Sequence, residues 1–107
     1  MEIQEQSLED QVYELIVQAS TDLPEDVVHA LEEAERREKS GSPARNVFSI
    51  LKQNVNLARE AKTPICQDTG TNIYNIHYPA GVSTIKLRQI IQNATVRATD
   101  DSILRPN

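Results

Sequence analysis

The sequence predicts a mainly helical α+β fold of about four helices with one short strand. Three observations point there. Apolar residues recur at three- and four-residue spacing over four separate stretches. Breaks carrying proline, serine or glycine divide those stretches. One further stretch, residues 73–78, alternates apolar and polar side chains with period two. At 107 residues, 38% hydrophobic, 25% charged and with a single Phe, the chain is one small domain at most, with a modest core.

The first helix is expected to begin after Ser7, with Asp10 three residues on forming a capping-box-like pair. Leu8, Val12, Leu15, Ile16 and Ala19 then share one face. Asp22-Leu23-Pro24 restarts the chain, Pro24 suits a first helical turn, and Val27, Val28, Leu31 and Ala34 make the second apolar stripe. The end of that helix, Glu32 to Lys39, alternates in sign, with Glu32–Arg36 and Glu33–Arg37 at i,i+4 spacing. This is the pattern of a solvated face, not a binding tail.

Gly41 stops the second helix, Ser42 caps the third and Pro43 starts it. Ala44, Val47, Phe48, Leu51, Val55 and Ala58 carry it to Ala61 or Lys62, and Pro64 ends it. Ile73 to Tyr78 is read as the short strand, closed by Pro79-Ala80-Gly81. Ser83 or Thr84 opens a fourth helix bearing Ile85, Leu87, Ile90, Ile91, Ala94 and Ala98, which loses its pattern near Thr99-Asp100-Asp101. The terminal Ser102-Ile103-Leu104-Arg105-Pro106-Asn107 places an apolar pair before an arginine, without a tapering polar tail.

A net charge of −5 argues against nucleic-acid binding, which needs a basic face, although a few local arginines could still hold an anionic substrate. One cysteine rules out an internal disulfide framework and fits a reducing, cytoplasmic compartment. No apolar run approaches the roughly 18 residues of a membrane span, and the polar start lacks a signal-peptide core.

The chemistry is concentrated in Pro64-Ile65-Cys66-Gln67-Asp68-Thr69-Gly70, directly after the third helix. Cys66 offers a soft thiolate, Gln67 and Asp68 can grip a polar ligand, and Gly70 permits a sharp turn. A single cysteine in such a chain is most often an inert, small buried hydrophobe, but Cys66 falls in a loop and not on an apolar stripe. As a nucleophile it needs a base, and no spacing rule ties His29 or His77 to it. As a metal ligand it needs partners that this chain does not supply, because one cysteine completes neither a zinc nor an iron–sulfur site. Asp100 and Asp101 read as solvated acids. Arg105, stiffened by Pro106, could aim a guanidinium at a carboxylate.

The Cys66-Gln67-Asp68-Thr69-Gly70 run, preceded by a helix containing Asn54-Val55-Asn56-Leu57-Ala58, resembles the N-terminal part of class I fumarate hydratases. The related L-tartrate dehydratase alpha subunit shares the motif. The resemblance extends over most of the chain, from Leu23-Pro24-Glu25-Asp26-Val27-Val28 to Leu104-Arg105-Pro106-Asn107, and the latter tilts toward fumarase.

The resemblance implies a [4Fe–4S] hydro-lyase that hydrates fumarate to S-malate, with three cysteines holding the cluster and one iron open to substrate. Cys66 matches the first of those ligands. Gln67 and Asp68 match residues that contact the bound dicarboxylate, and Arg105 matches an arginine that holds a substrate carboxylate. The other two cysteines, further substrate-binding residues and the catalytic acid and base have no counterpart here. Residues 1–107 are therefore expected to be a truncated N-terminal part of the catalytic domain, inactive alone. It is expected to work with the remainder of the enzyme or a partner subunit, in a homodimer. Two alternatives stand beside this: an L-tartrate dehydratase alpha-subunit segment, and a stand-alone helical interaction domain whose cysteine is incidental.

Overall fold

Four helices follow one another along the chain in a computed structural model that describes residues 4–106: α1 (Glu5–Thr21), α2 (Glu25–Arg37), α3 (Pro43–Ala61) and α4 (Thr84–Asp100). The mainly helical expectation holds, and two of the sequence-read caps act as expected. The Ser42 hydroxyl accepts from the Arg45 N–H at 3.2 Å with Pro43 in the first turn, and the Ser83 hydroxyl accepts from the Lys86 N–H at 3.3 Å. Helix α2 starts behind Pro24, whose carbonyl accepts from the N–H groups of Val27 and Val28. Its acidic first turn (Glu25, Asp26) and basic last turn (Arg36, Arg37) both suit the helix dipole.

Two expectations are corrected. Ser7 is not a cap: α1 begins at Glu5, after Gln4, which makes no side-chain capping bond. Residues 73–78 form no strand, and no strand is found among the described residues. A period-two pattern describes a pleated surface, but a strand exists only against a partner that satisfies its backbone groups, and among the described residues none is paired with this segment. It is held by side chains instead. The Tyr74 hydroxyl lies 2.7 Å from Thr95 Oγ1 on α4 and accepts from the Asn72 amide at 3.0 Å.

The helices pair as α1 with α4 and α2 with α3, joined by a smaller contact between α1 and α3. The molecule is long, 59 × 27 × 22 Å, with a radius of gyration of 17.8 Å; a globular chain of this length averages about 13 Å. The tightest packing lies on the α1–α4 seam. Ile16 and Val17 meet Ala94 and Ala98, both fully buried, and the seam is closed by Ile103 and Leu104, with Val12, Tyr13 and Tyr74 packed at its rim. Small residues on α4 permit the close approach. The α1 stripe is rotated from the expected one: Leu15 is 62% exposed, while Val17 takes a core place. No α2 residue is fully buried. Val47, Ile50, Leu51 and Leu57 leave much of α3 apolar and exposed.

The terminal apolar pair reaches the core through the end of α4. The Ser102 N–H donates to the Thr99 carbonyl at 3.0 Å and the Ile103 N–H to the Ala98 carbonyl at 2.9 Å, with Ser102 at φ 62. This is a Schellman turn, in which the residue after the left-handed position folds back onto the helix. Helix α3 ends in the same way: Lys62 takes φ 55, and the Thr63 N–H donates to the Ala58 carbonyl at 3.1 Å.

A polar clasp crosses the α1–α4 seam. The Arg97 guanidinium donates to Asp10 Oδ1 at 2.8 Å and stacks 4.0 Å from the centre of the Tyr13 ring. The Tyr13 hydroxyl donates to Asp101 at 2.5 Å, so Asp101 is a structural partner and not a free solvated acid. The Arg97 hydrogen bond, then that from Gln6, holds the Asp10 carboxyl below its ordinary 3.8. The bond to Asp101 raises the Tyr13 phenol above its ordinary 10.0.

A lowered carboxyl contributes stability above its unfolded pKa that is lost as pH falls through the folded one. A raised phenol contributes below its unfolded pKa and is lost as pH rises through the folded one. Thermal melts followed by circular dichroism should therefore show a plateau between those limits. Asp10→Asn should blunt the acid limb and Tyr13→Phe the alkaline limb, both effects shrinking at high salt because the groups face water. Melts in which neither variant alters its limb would contradict this account of the clasp.

Candidate functional site

The segment that leaves α3 is anchored on both sides before it reaches the cysteine. The Ile65 N–H donates to the Ser20 carbonyl near the end of α1 at 3.1 Å, and the Ile65 carbonyl accepts from the Asn54 amide of α3 at 2.8 Å. Asn54 thus does for the loop what a strand neighbour would do, holding a backbone group in fixed direction. The Asp22–Arg59 pair, at 2.7 Å, ties the same two helices beside this anchor.

Beyond Ile65 the chain turns outward, and Cys66, Gln67 and Asp68 are all exposed. The Cys66 thiol meets the Asp68 carbonyl at 3.5 Å, and the Thr69 N–H donates to the Gln67 carbonyl at 3.2 Å, which curls the loop tightly. Gly70 then takes φ +69, a left-handed conformation that glycine adopts without steric cost. Neither the Gln67 amide nor the Asp68 carboxylate has a side-chain hydrogen bond among the described residues. Both remain available to a ligand. The loop placement read from sequence agrees with the structure, in which Cys66 is a free, exposed thiol and not a core-packed side chain.

The second part of the site comes from the far end of the chain. Past the Schellman turn, buried Ile103 and Leu104 fix the direction in which the next residues emerge. The Arg105 N–H donates to the Thr69 hydroxyl oxygen at 3.1 Å, across 36 positions of sequence. An open cleft of about 490 Å³ lies between the two segments, and Cys66, Gln67, Thr69 and Arg105 all line it. Asp68 stays on the loop but does not line the cleft. A wider cleft, of about 830 Å³, continues from Thr69 and Arg105 along α4 past Tyr74 and Thr95. The Arg105 guanidinium has no carboxylate partner among the described residues.

Four residues singled out from sequence are thus carried on two neighbouring segments, and three of them, Cys66, Gln67 and Arg105, share a cleft. Thr69 was not singled out, although it is the residue that joins the segments. The histidines stand apart: neither lines the thiol cleft, and His29 Nδ1 lies 3.8 Å from Glu32 on α2. Among the described residues no three His, Cys, Asp or Glu side chains come together to hold a metal ion. No helix there is long and apolar enough to cross a membrane.

Comparison with known proteins matches residues 9–107 to the family model for fumarate hydratase (Fumerase). A protein of Geobacillus stearothermophilus, provisionally named fumarate hydratase class I, is 39% identical over 102 residues. That match covers 95% of this chain and 20% of the relative. A protein of Methanocaldococcus jannaschii, provisionally named L(+)-tartrate dehydratase subunit alpha, is 35% identical over 103 residues, covering 94% of this chain and 36% of the relative. The chain therefore spans between a fifth and about a third of the curated relatives it matches.

Proposed function

Because this chain belongs to the fumarate hydratase (Fumerase) family, we propose that it is the N-terminal portion of a [4Fe–4S]-dependent hydro-lyase that reversibly hydrates fumarate to S-malate. It supplies one cluster ligand and part of the dicarboxylate site. The observation that carries this reading is the shared cleft: Cys66, with its open thiol, and Arg105, whose guanidinium has no carboxylate partner among the described residues, line one opening, and a hydrogen bond joins their segments.

The donor set fits one corner of a cluster. Cys66 is exposed and its sulfur makes a single weak contact, so the thiolate is free to bind a soft metal. The remaining ligands come from the rest of the enzyme or a partner subunit. When bound, an iron with an open position supplies Lewis-acid chemistry to the substrate oxygen.

The side chains of this chain bind and orient. Arg105 offers two parallel N–H donors to one carboxylate of the substrate, a geometry that fixes direction as well as charge. Gln67 provides an amide that can donate to a carboxylate and accept from a hydroxyl. Asp68 is an acceptor when ionised, and its like charge repels a dicarboxylate. Its productive contact is therefore with the hydroxyl of the hydrated product. No group in this segment serves as catalytic acid or base. The working enzyme is a cytoplasmic homodimer.

A second reading rests on the tartrate dehydratase relative, of which this chain covers the larger share. Anaerobically reconstituted full-length protein should turn over fumarate and S-malate well and L-tartrate poorly. The reverse preference assigns the chain to the tartrate enzymes. The isolated 107-residue chain is expected to show neither activity, because one thiolate does not replace three.

A further inference from the structure

Thr69 lies between two residues of assigned chemistry and has no assigned role itself. Its hydroxyl oxygen accepts the Arg105 N–H at 3.1 Å, it is half-buried, and it lines both clefts at the point where they meet. We propose that Thr69 is a positioning residue: its hydroxyl holds the Arg105 backbone against the Cys66–Asp68 loop, so that guanidinium and loop meet the same substrate. The proposal rests on the reading of Arg105 as a carboxylate-binding residue.

The argument is one of accumulated constraint. On the loop side, Ile65 is fixed by Ser20 and Asn54, and the Thr69 N–H is bonded to the Gln67 carbonyl. On the arginine side, Ile103 and Leu104 are buried, and both their N–H groups point at the Ala98 carbonyl, at 2.9 and 3.3 Å. Arg105 and Pro106 are exposed beyond that anchor. Among the described residues, the Thr69 contact is the hydrogen bond that returns the Arg105 backbone to the loop. A guanidinium on a long side chain amplifies small errors at its Cα, and bidentate recognition tolerates little misalignment. Fixing the backbone at Arg105 therefore acts on substrate binding without contact to the substrate.

Valine matches threonine in shape and puts a methyl group where the hydroxyl accepts the Arg105 N–H. In the reconstituted full-length enzyme, Thr69→Val should raise KM for fumarate about three- to tenfold, the worth of one ordinary hydrogen bond. The effect on kcat should be smaller, and iron content per chain unchanged. Thr69→Ser, which keeps the oxygen, should restore KM toward the wild-type value. Amide exchange at Arg105, followed by mass spectrometry, should quicken in the valine variant and not in the serine variant.

In an Arg105→Ala background, Thr69→Val should add nothing further to KM, since the residue it positions is gone. Unchanged exchange at Arg105, unchanged KM, or a serine variant as impaired as the valine variant each overturns the proposal. An Arg105→Ala enzyme with wild-type KM overturns instead the reading of Arg105. The two failures are distinct, because in the latter case the exchange rate still responds to Thr69→Val.

Discussion

Replacing Cys66 with serine in the full-length enzyme is expected to abolish fumarate hydration, by at least about a thousandfold in kcat. The Lewis-acid contribution of a bound metal amounts to several kcal/mol of transition-state stabilisation. A serine hydroxyl is a poor substitute for a soft thiolate toward iron, so iron per chain should fall in the same preparation. Measured against iron-free wild type, stability should hardly change, because Cys66 is exposed and its sulfur makes one weak hydrogen bond among the described residues, to the Asp68 carbonyl at 3.5 Å. The combination is diagnostic. A helical interaction domain with an incidental cysteine predicts that activity, iron content and melting temperature all survive the substitution. Full activity in Cys66→Ser enzyme removes the cluster reading altogether.

The second large effect concerns the fold. Ile103→Ala should destabilise the chain by about 2–5 kcal/mol, the usual cost of truncating a large buried aliphatic side chain. Ile103 is 7% exposed and closes the seam formed by Ile16, Val17, Ala94 and Ala98. Its backbone also completes the Schellman turn, so lost packing there loosens the segment that leads to Arg105. Urea unfolding followed by circular dichroism should show a clear fall in midpoint. Leu57→Ala, at a side chain 64% exposed on α3, should stay within about 0.5 kcal/mol of wild type. Equal effects at the two positions would mean that the core does not lie on the α1–α4 seam.

How much of this was legible in the sequence depends on the range of the interaction. Ser42, Pro43 and Ser83 were readable because a cap acts within four residues of itself. Gly70 was readable because its turn follows from having no Cβ. The ion-pair pattern on α2 was right for one partner and not the other: Glu33 pairs with Arg37 at 3.8 Å, as the spacing implies, and more closely with Arg36 at 2.7 Å, while Glu32 faces His29. Rotamers decide among such neighbours, and spacing alone does not.

The misreadings are all questions of partnership. Ser7 has the composition of a cap but lies inside a helix already begun at Glu5. Ile73 to Tyr78 has the alternation of a strand, yet alternation cannot supply the neighbouring backbone that a strand requires. The expected Leu15 face of α1 gave way to Val17 because the groove offered by Ala94 and Ala98 decides which side is covered. At the site, the chemistry of Cys66, Gln67 and Asp68 was local and visible. Its junction with Arg105 through Thr69 spans 36 positions and carries no local signature. Tyr13 and Asp101, 88 positions apart, were unreadable for the same reason.

The arrangement of the helices in two pairs bears on how the molecule opens. Helices α1 and α4 own the densest packing, whereas α2 has no fully buried residue and rests on α3 alone. The α2–α3 hairpin is therefore the less stable cooperative unit, able to detach by sub-global unfolding while the other pair stays folded. Ile65 is bonded to both units, through Ser20 on one side and Asn54 on the other. Each opening of the hairpin releases one end of the thiol loop. The order of the Cys66 loop thus depends on the weaker half of the fold.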